Sequence, residues 1–288
     1  MSKARSDPSR GEMIDIGGRR LRVVKDGPAG PRPTVVLEHG AFGCAADWAV
    51  VQARLAAKGL ASLAYDRAGL GYSDPGPRHR DGHAMVADLD ALLRALRETG
   101  PIVLVGHSMG GLTTRLFALT HPERVAGLVM VDAVTPEILA IPAAARAFDA
   151  FSRILTAVRW LARAGLMRPA TLITGDTIGL PPEASAEKRA IQGSASHALW
   201  AAEEVRQWRA LATQASAAAL PPGLPVAAIT AGARTLTALK ETQAIAALAC
   251  ANGYIEQVPG AGHASLLGRR FADPVVRGVE HVLAAVQR

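Results

Sequence analysis

The chain contains little cysteine and no long uninterrupted run of apolar residues. Its two cysteines, Cys44 and Cys250, are far apart in a chain of 288 residues and fit no spacing of metal ligands. They are too few for a disulfide framework, and we expect both to be small buried apolar residues. No stretch reaches the roughly 18 consecutive apolar residues of a membrane-spanning helix. Together with a polar N-terminus, these absences predict a soluble cytoplasmic protein without integral membrane association.

The excess of positive charge is moderate and consists mainly of arginine. The chain has 32 lysine and arginine residues against 25 aspartate and glutamate residues, a formal net charge of +7. Because the sequence is also rich in alanine, this bias fits a high-GC coding background as readily as an acidic partner. We therefore expect no nucleic-acid binding. The apolar fraction of 49% is ordinary for a globular protein, and no internal repeat is evident.

Buried strands alternate with helices along both ends of the chain. The apolar strand segments are PTVVLEHG, LASLAYD, PIVLVGH, AGLVMVD, LPVAAITAG and YIEQV. Continuously apolar strands separated by helices predict a mostly parallel sheet covered on both faces, hence an α/β fold. The strands assign residues 12–135 and 221–288 to the core. A polar N-terminus at 1–11 is expected to be disordered, and residues 136–220 are expected to form a helical insertion.

The stretch VGHSMGG places Ser108 between Gly106 and Gly110, after an apolar strand and before a helix. A strand, a Gly-x-Ser-x-Gly turn and a helix are the context of a nucleophile elbow. The serine takes a strained backbone conformation there, and the glycines let the neighbouring backbone pass without a side-chain clash. The helix N-terminus also favours a developing negative charge. Ser108 is therefore the predicted nucleophile.

Five segments together resemble the α/β-hydrolase superfamily, in the branch that uses a serine nucleophile. They are, in chain order, LEHGAFG at 37 to 43, AYDRAGLGYSD at 64 to 74, LVGHSMGG at 104 to 111, HPERVAGLVMVD at 121 to 132 and VPGAGHASLL at 258 to 267. The resemblance covers nearly the whole chain and implies an esterase-like or lipase-like fold with a helical cap, and no metal or organic cofactor. Dehalogenases and epoxide hydrolases of similar fold attack through a carboxylate, so the serine favours acyl transfer.

The resemblance also implies the residues that assist the serine. The backbone amide of Met109, directly after the nucleophile, and that of Ala41, with Phe42 beside it, are the implied oxyanion donors. His39, in the same loop as Ala41, is expected to pack structurally. His263 follows the last strand in PGAGHASLL, where relatives carry their general base, and we expect it to be the base.

Two other histidines lie near the predicted site in the sequence. His107 belongs to the elbow itself and is expected to point away from the chemistry. His197, in the insertion, could reach a pocket but lies in no loop of the expected kind.

The acid that would orient the histidine is missing from its usual position. Relatives commonly carry Gly-x-x-Asp after the strand LPVAAITAG, but this chain has Thr235 there and no aspartate between Asp176 and Asp273. Asp132 ends the strand beside the nucleophile strand, so its carboxylate would emerge at the same edge of the sheet. Glu241 lies in a predicted helix further along the chain. We favour Asp132, with Glu241, or no functional acid at all, as alternatives; Asp132 could also be a simple cap.

The insertion contains the basic amphipathic stretch FDAFSRILTAVRWLARAGLMR. Such a helix can bind a membrane or an acidic ligand, but a lid with an arginine-coated outer face is the interpretation we favour. With Phe42, its residues Phe148, Phe151 and Trp160 are candidate walls of a substrate pocket. Further candidates in the insertion are Leu166, Met167, Trp200 and Trp208.

These residues predict a serine hydrolase acting on a small hydrophobic ester or lactone. Amide hydrolysis, carbon–carbon bond hydrolysis and cofactor-free perhydrolysis are possible on the same residues. A ligand-binding receptor or scaffold that keeps only the fold is the alternative outside enzymes.

Overall fold

The computed structural model describes residues 10–167, 176–232 and 237–287, so the predicted disordered segment 1–11 lies almost wholly outside the described residues. The strands are β1 (Glu12–Asp15), β2 (Arg20–Asp26), β3 (Val35–Glu38), β4 (Ser62–Tyr65), β5 (Ile102–His107), β6 (Val125–Val131), β7 (Val226–Ala231) and β8 (Gly253–Val258). They form one sheet in the order β1-β2-β4-β3-β5-β6-β7-β8.

Ten α-helices are present in the described ranges. They are α1 (Ala49–Ala57), α2 (Gly82–Ala95), α3 (Gly110–Thr120), α4 (Pro136–Ala140), α5 (Pro142–Arg163), α6 (Pro182–Gln192), α7 (Ala195–Arg206), α8 (Trp208–Ala215), α9 (Thr237–Leu248) and α10 (Asp273–Val286). Short 3₁₀ helices span Ala45–Trp48, Pro122–Arg124 and Ser265–Leu267.

The sheet is parallel except at one end. β1 pairs antiparallel with β2, β2 pairs antiparallel with β4, and all other neighbours are parallel. The predicted mostly parallel α/β sheet is thereby confirmed. After β3 the chain adds β4 on one side and then β5 on the other, and ligand sites of open α/β sheets lie outside the carboxyl ends of strands at such a reversal.

Both faces of the sheet are covered because side chains alternate along each strand. Val36, Leu104 and Leu128 face one core, which α2, α3 and α8 complete. The strand neighbours of these residues, such as Val103 and Val129, face a second core that α1 and α10 complete. This arrangement explains why the central strands are apolar at every position rather than at alternate ones.

The residues between β6 and β7 that the structure describes form helices α4 to α8 and no strand. Helix α6 is tied to the core by buried ion pairs. The carboxylate of Glu187 lies 2.6 Å from the Arg22 guanidinium, and Lys188 pairs with Asp47. Helix α5, in contrast, exposes large apolar side chains, among them Ile154 at 66%. None of the described helices has both the length and the apolar character needed to cross a bilayer.

A substitution in the central strand β5 tests whether its side chains are buried as described. Leu104 is fully buried, so Leu104→Ala removes packed atoms and should lower the free energy of unfolding by about 2–5 kcal/mol. Leu248, at the end of α9, is 70% exposed, and Leu248→Ala should change it by less than about 0.5 kcal/mol. Urea unfolding followed by circular dichroism measures both variants, and equal losses would contradict the described burial.

Candidate active site

Ser108 lies at a sharp turn between β5 and α3. Its φ angle is 55°, in the left-handed region that non-glycine residues rarely adopt. Three hydrogen bonds hold it there. Its N–H donates to the Val131 carbonyl at 3.1 Å, and its own carbonyl accepts from the N–H groups of Gly111 at 3.0 Å and Val134 at 2.9 Å. The strained turn is therefore hydrogen-bonded to the end of β6 and to the segment that follows it.

The two glycines of the motif lie where no side chain would fit. A Cβ on Gly106 would stand 2.6 Å from both the Gly110 carbonyl oxygen and the Thr114 hydroxyl oxygen. A Cβ on Gly110 would stand 2.5 Å from the carbonyl oxygen of Glu38, at the end of β3. The elbow is thus packed directly against the neighbouring strand end, as the sequence pattern predicts.

Asp132 occupies a second strained turn, at the end of β6. Its φ angle is 41°, and its N–H donates to the Ile229 carbonyl at 2.7 Å. The carboxylate accepts a hydrogen bond on Oδ1 from the Ala231 N–H at 3.0 Å. The side chain is 7% exposed, so a carboxylate is held in a nearly closed, hydrogen-bonded position between β6 and β7.

His263 follows β8 and contacts this carboxylate directly. Its Nδ1 lies 2.6 Å from Asp132 Oδ2. Burial raises the pKa of the Asp132 carboxyl, but the hydrogen bonds from His263 and Ala231 outweigh burial and leave the pKa below its ordinary value. Because the carboxylate is an acceptor, Nδ1 carries the proton, and in the neutral ring Nε2 is the unprotonated nitrogen. The imidazole is 52% exposed, so Nε2 can meet an incoming molecule.

His107 is part of the same cluster, contrary to the sequence expectation that it points away. Its ring centroid lies 4.6 Å from that of His263, and its Nε2 lies 3.0 Å from the His263 carbonyl oxygen. Burial, together with the neighbouring His263, lowers the pKa of His107 to about 3. A neutral His107 therefore donates to the His263 backbone and supports the loop. The only sequence feature that could have indicated this contact is the position of His107 directly before Ser108.

The predicted oxyanion donors, Ala41 and Met109, belong to two segments that meet at Ser108. Met109 follows it in the turn, and a Cβ added to Gly40, just before Ala41, would stand 3.0 Å from the Ser108 Cβ. Within the described part of the chain, neither the Ala41 N–H nor the Met109 N–H donates a hydrogen bond. Both amides are therefore available to an oxygen held near Ser108.

His39 lies at the start of the loop that carries Ala41 and is fully buried. Its Nδ1 lies 2.8 Å from the Gly40 carbonyl oxygen. Burial and the nearby Arg67 cation lower the pKa of His39 well below its ordinary value, so the ring stays neutral. This agrees with the structural role expected for it.

The other candidates are more scattered. Glu241 lies in α9 and is exposed, and the segment that holds Thr235 lies outside the described residues. Phe42 is half-buried and directly follows Ala41 in the loop after β3. Phe151 is 49% exposed and Trp160 is 59% exposed, which does not favour the pocket-wall assignment for either residue. Instead, the guanidinium groups of the adjacent Arg159 and Arg163 lie 5.2 and 5.1 Å from the Trp160 ring centroid.

A cavity of about 610 Å³ lies among the helices of the insertion. Its lining includes Phe148 and Trp208 but none of Ser108, Asp132 and His263. Phe148 therefore lines a space separate from the serine cluster. Among residues 10–167, 176–232 and 237–287, no three histidine, cysteine, aspartate or glutamate side chains are grouped closely enough to hold a metal ion.

Comparison with known proteins links this arrangement to a large family. A family model described as alpha/beta hydrolase fold matches residues 33–269. The chain is 34% identical over 119 residues to a pyrethroid hydrolase of Sphingobium wenxiniae. That match covers 38% of this chain and 40% of the hydrolase, so the chain matches less than half of that relative's length.

Two solved structures share the whole architecture. A thermophilic esterase from Thermogutta terrifontis superimposes with a TM-score of 0.67 at 22% identity, covering 97% of this chain and 100% of the esterase. An enol-lactonase from Burkholderia xenovorans LB400 superimposes with a TM-score of 0.64 at 22% identity, covering 95% of this chain and 100% of the lactonase. At these identities the likeness shows a common fold.

Because the elbow packs against β3, a methyl group added at Gly110 should lower the stability of the fold. Gly110→Ala forces a Cβ against the Glu38 carbonyl and should lower the free energy of unfolding by about 1–3 kcal/mol. Gly100→Ala is the matched control, because nothing lies within 4 Å of a Cβ at that position. Denaturant titration of both variants measures the difference, and a Gly110→Ala variant as stable as Gly100→Ala would refute the close approach.

Proposed function

Because this chain belongs to the alpha/beta hydrolase fold family, we propose that it is a serine hydrolase that cleaves a carboxylic ester or lactone through an acyl-enzyme intermediate. The observation that carries the proposal is the 2.6 Å contact between His263 Nδ1 and Asp132 Oδ2, at the edge of the sheet where Ser108 is held at a φ of 55°. A serine nucleophile served by a histidine that is itself paired with a buried carboxylate is the triad of nucleophilic acyl transfer.

In the first half of the proposed reaction, Ser108 Oγ attacks the carbonyl carbon while His263 Nε2 takes the hydroxyl proton. The tetrahedral intermediate then expels the alkoxide, which leaves as an alcohol after taking the proton from His263. In a lactone the alcohol stays attached to the acyl group. In the second half, His263 removes a proton from water and the hydroxide attacks the acyl carbon. The bond to Ser108 Oγ then breaks, Oγ takes the proton back from His263, and the acid is released.

Asp132 acts in this proposal as the partner of the histidine. Its contact with Nδ1 selects the tautomer in which Nε2 can accept the serine proton, and its negative charge stabilises the imidazolium that forms. The lowered pKa of Asp132 supports this role, because the carboxylate stays ionised at neutral pH. We propose the Ala41 and Met109 amides as the donors that stabilise the negative oxygen of the tetrahedral intermediate.

The proposed substrate is a small to medium hydrophobic ester or lactone. The names of the similar proteins, a pyrethroid hydrolase, an esterase and an enol-lactonase, support ester and lactone bonds as the class. The half-buried Phe42 beside the oxyanion loop supports an apolar acyl group. We propose residues 136–220 as a helical cap that excludes water from the reacting centre.

The proposal predicts that the chain hydrolyses p-nitrophenyl esters in a series of increasing acyl length. The release of p-nitrophenolate measures the rate. Ser108→Ala should lose activity by at least about a thousandfold. A fluorophosphonate probe should label the wild-type chain at Ser108 and leave Ser108→Ala unlabelled.

Two results would contradict this proposal in different ways. Labelling at Ser108 without cleavage of any ester or lactone would direct attention to amides, carbon–carbon bonds or perhydrolysis. Absence of both labelling and cleavage would favour a binding protein that keeps only the fold.

The assignment of Asp132 predicts a separate kinetic effect. Asp132→Asn keeps the shape of the side chain but stabilises the wrong histidine tautomer, so kcat should fall by roughly a thousandfold or more with little change in KM. Glu241→Gln, at an exposed position in α9, is the matched control and should leave both constants unchanged. Equal losses in the two variants would rule out Asp132 as the orienting acid.

A further inference from the structure

A buried arginine lies beneath the loop that carries the Ala41 amide. Arg67, just after β4, is 1% exposed. Its guanidinium donates to two successive backbone carbonyls of the loop, that of His39 at 2.6 Å and that of Gly40 at 3.1 Å. The Gly40 carbonyl also accepts from His39 Nδ1 at 2.8 Å and from the Gly43 N–H at 3.2 Å. The carbonyls of His39 and Gly40 are thus both hydrogen-bonded in the protein interior.

The position of Arg67 is set by two carboxylates from different parts of the chain. Glu38, at the end of β3, pairs with one guanidinium nitrogen. Glu204, on α7 of the insertion, forms the second pair in a two-pronged arrangement, with Nε to Oε1 at 2.7 Å and Nη2 to Oε2 at 2.6 Å. A bidentate pair of this kind fixes the plane of the guanidinium as well as its distance. The insertion therefore determines how Arg67 presents its remaining hydrogens to the loop.

The geometry of a single peptide group connects this arrangement to the oxyanion. The Gly40 carbonyl and the Ala41 N–H belong to the same planar trans peptide, so they point in opposite directions. Donors that hold the carbonyl therefore also aim the N–H. A cation hydrogen-bonded to the carbonyl polarises the peptide and strengthens the N–H as a donor, because hydrogen bonds in a chain reinforce one another.

We propose that Arg67 and Glu204 are positioning residues that aim and polarise the Ala41 N–H, so that helix α7 of the insertion controls the strength of the oxyanion hole. This inference rests on the proposed acyl-transfer function. Burial alone would lower the pKa of Arg67, but the charges of Glu204 and Glu38 more than compensate and raise it, so the cation persists at every working pH. The insertion then contributes to the chemical step as well as to the walls of a pocket.

A second side chain of α7 holds the same loop. His197 is 1% exposed, and its Nδ1 accepts a hydrogen bond from the Gly71 N–H at 3.1 Å. In a neutral ring the proton is then on Nε2, which lies 3.3 Å from the Phe42 carbonyl oxygen and donates to it. His197 and Glu204 are seven residues apart, two turns of one helix face. Helix α7 therefore acts on both sides of Ala41, through His197 at the Phe42 carbonyl and through Glu204 and Arg67 at the Gly40 carbonyl.

The experiment compares two neighbouring glutamates of α7. Glu204→Gln keeps the side-chain shape but removes the charge that orients Arg67. Glu203→Gln is the matched control, because Glu203 pairs with Arg206 on the same helix at 3.2 Å and is 25% exposed. Each variant is measured for kcat and KM on the best p-nitrophenyl ester, for the affinity of an alkyl boronic acid, and for Tm. The boronic acid forms a tetrahedral anionic adduct on the serine and reports on the oxyanion hole.

We expect Glu204→Gln to lower kcat about tenfold or more, since loss of a whole oxyanion donor costs roughly a hundredfold to a thousandfold. KM should change by less than about threefold, and boronic acid affinity should fall in parallel with kcat/KM. Glu203→Gln should match the wild type. If Glu204→Gln does not fold, Glu204→Asp, which keeps the charge but shortens its reach, is expected to show the same parallel loss.

A fall in Tm with unchanged boronic acid affinity would assign Glu204 a purely structural role and overturn the inference. Equal kcat and KM values for Glu204→Gln and Glu203→Gln would overturn the inference as well. In that case an active wild type would still support the proposed function. A wild-type chain that neither cleaves an ester nor binds the boronic acid would instead reject the proposed function, and this inference with it.

Discussion

The parallel pairing of β3, β5, β6 and β7 is the constraint on which the rest of the site depends. In this register Glu38 lies opposite Gly106, and His107 lies opposite Val131, which in turn lies opposite Ile229. Parallel strands in register end at the same edge of the sheet, so the turns that follow them meet without any long connection. The proposed nucleophile, the Asp132 carboxylate and the loop that carries Ala41 are all parts of these turns.

Each of these turns is strained, and each is held by hydrogen bonds from a neighbour. Phe42 and Ser108 have φ angles of 55°, and Asp132 has one of 41°. A non-glycine residue in such a conformation costs on the order of 1–3 kcal/mol, which the surrounding contacts have to offset. The Ser108 turn is bonded to the segment after β6, and Asp132 is bonded to β7. The strain is thus distributed across a continuous set of contacts, and the functional groups are held in a narrow range of positions.

The insertion is joined to this edge through buried charges. Arg67 with Glu204 and Arg22 with Glu187 both bring a charged side chain of the insertion against one of the core, with almost no exposure of either partner. Removing charges from water is costly, so such pairs contribute little net stability, but each strongly disfavours any arrangement in which a partner is left alone. Helices α6 and α7 are therefore specifically docked, whereas α5 presents exposed apolar residues such as Ile154 and Trp160.

The sequence by itself determined the fold and marked the turns that carry Ser108 and His263, because the signals for them are local. Apolar strands alternating with helices specify a parallel sheet, and the glycines around Ser108 and before His263 mark sharp turns within the segments themselves. Only the tertiary structure decided which carboxylate lies against His263, since Asp132 is 131 positions away and nothing in its own segment distinguishes it from a cap. The contact between Arg67 and Glu204 spans 137 positions and has no local signature either. Such contacts depend on how separate elements pack, and that packing is a property of the whole chain rather than of any one segment.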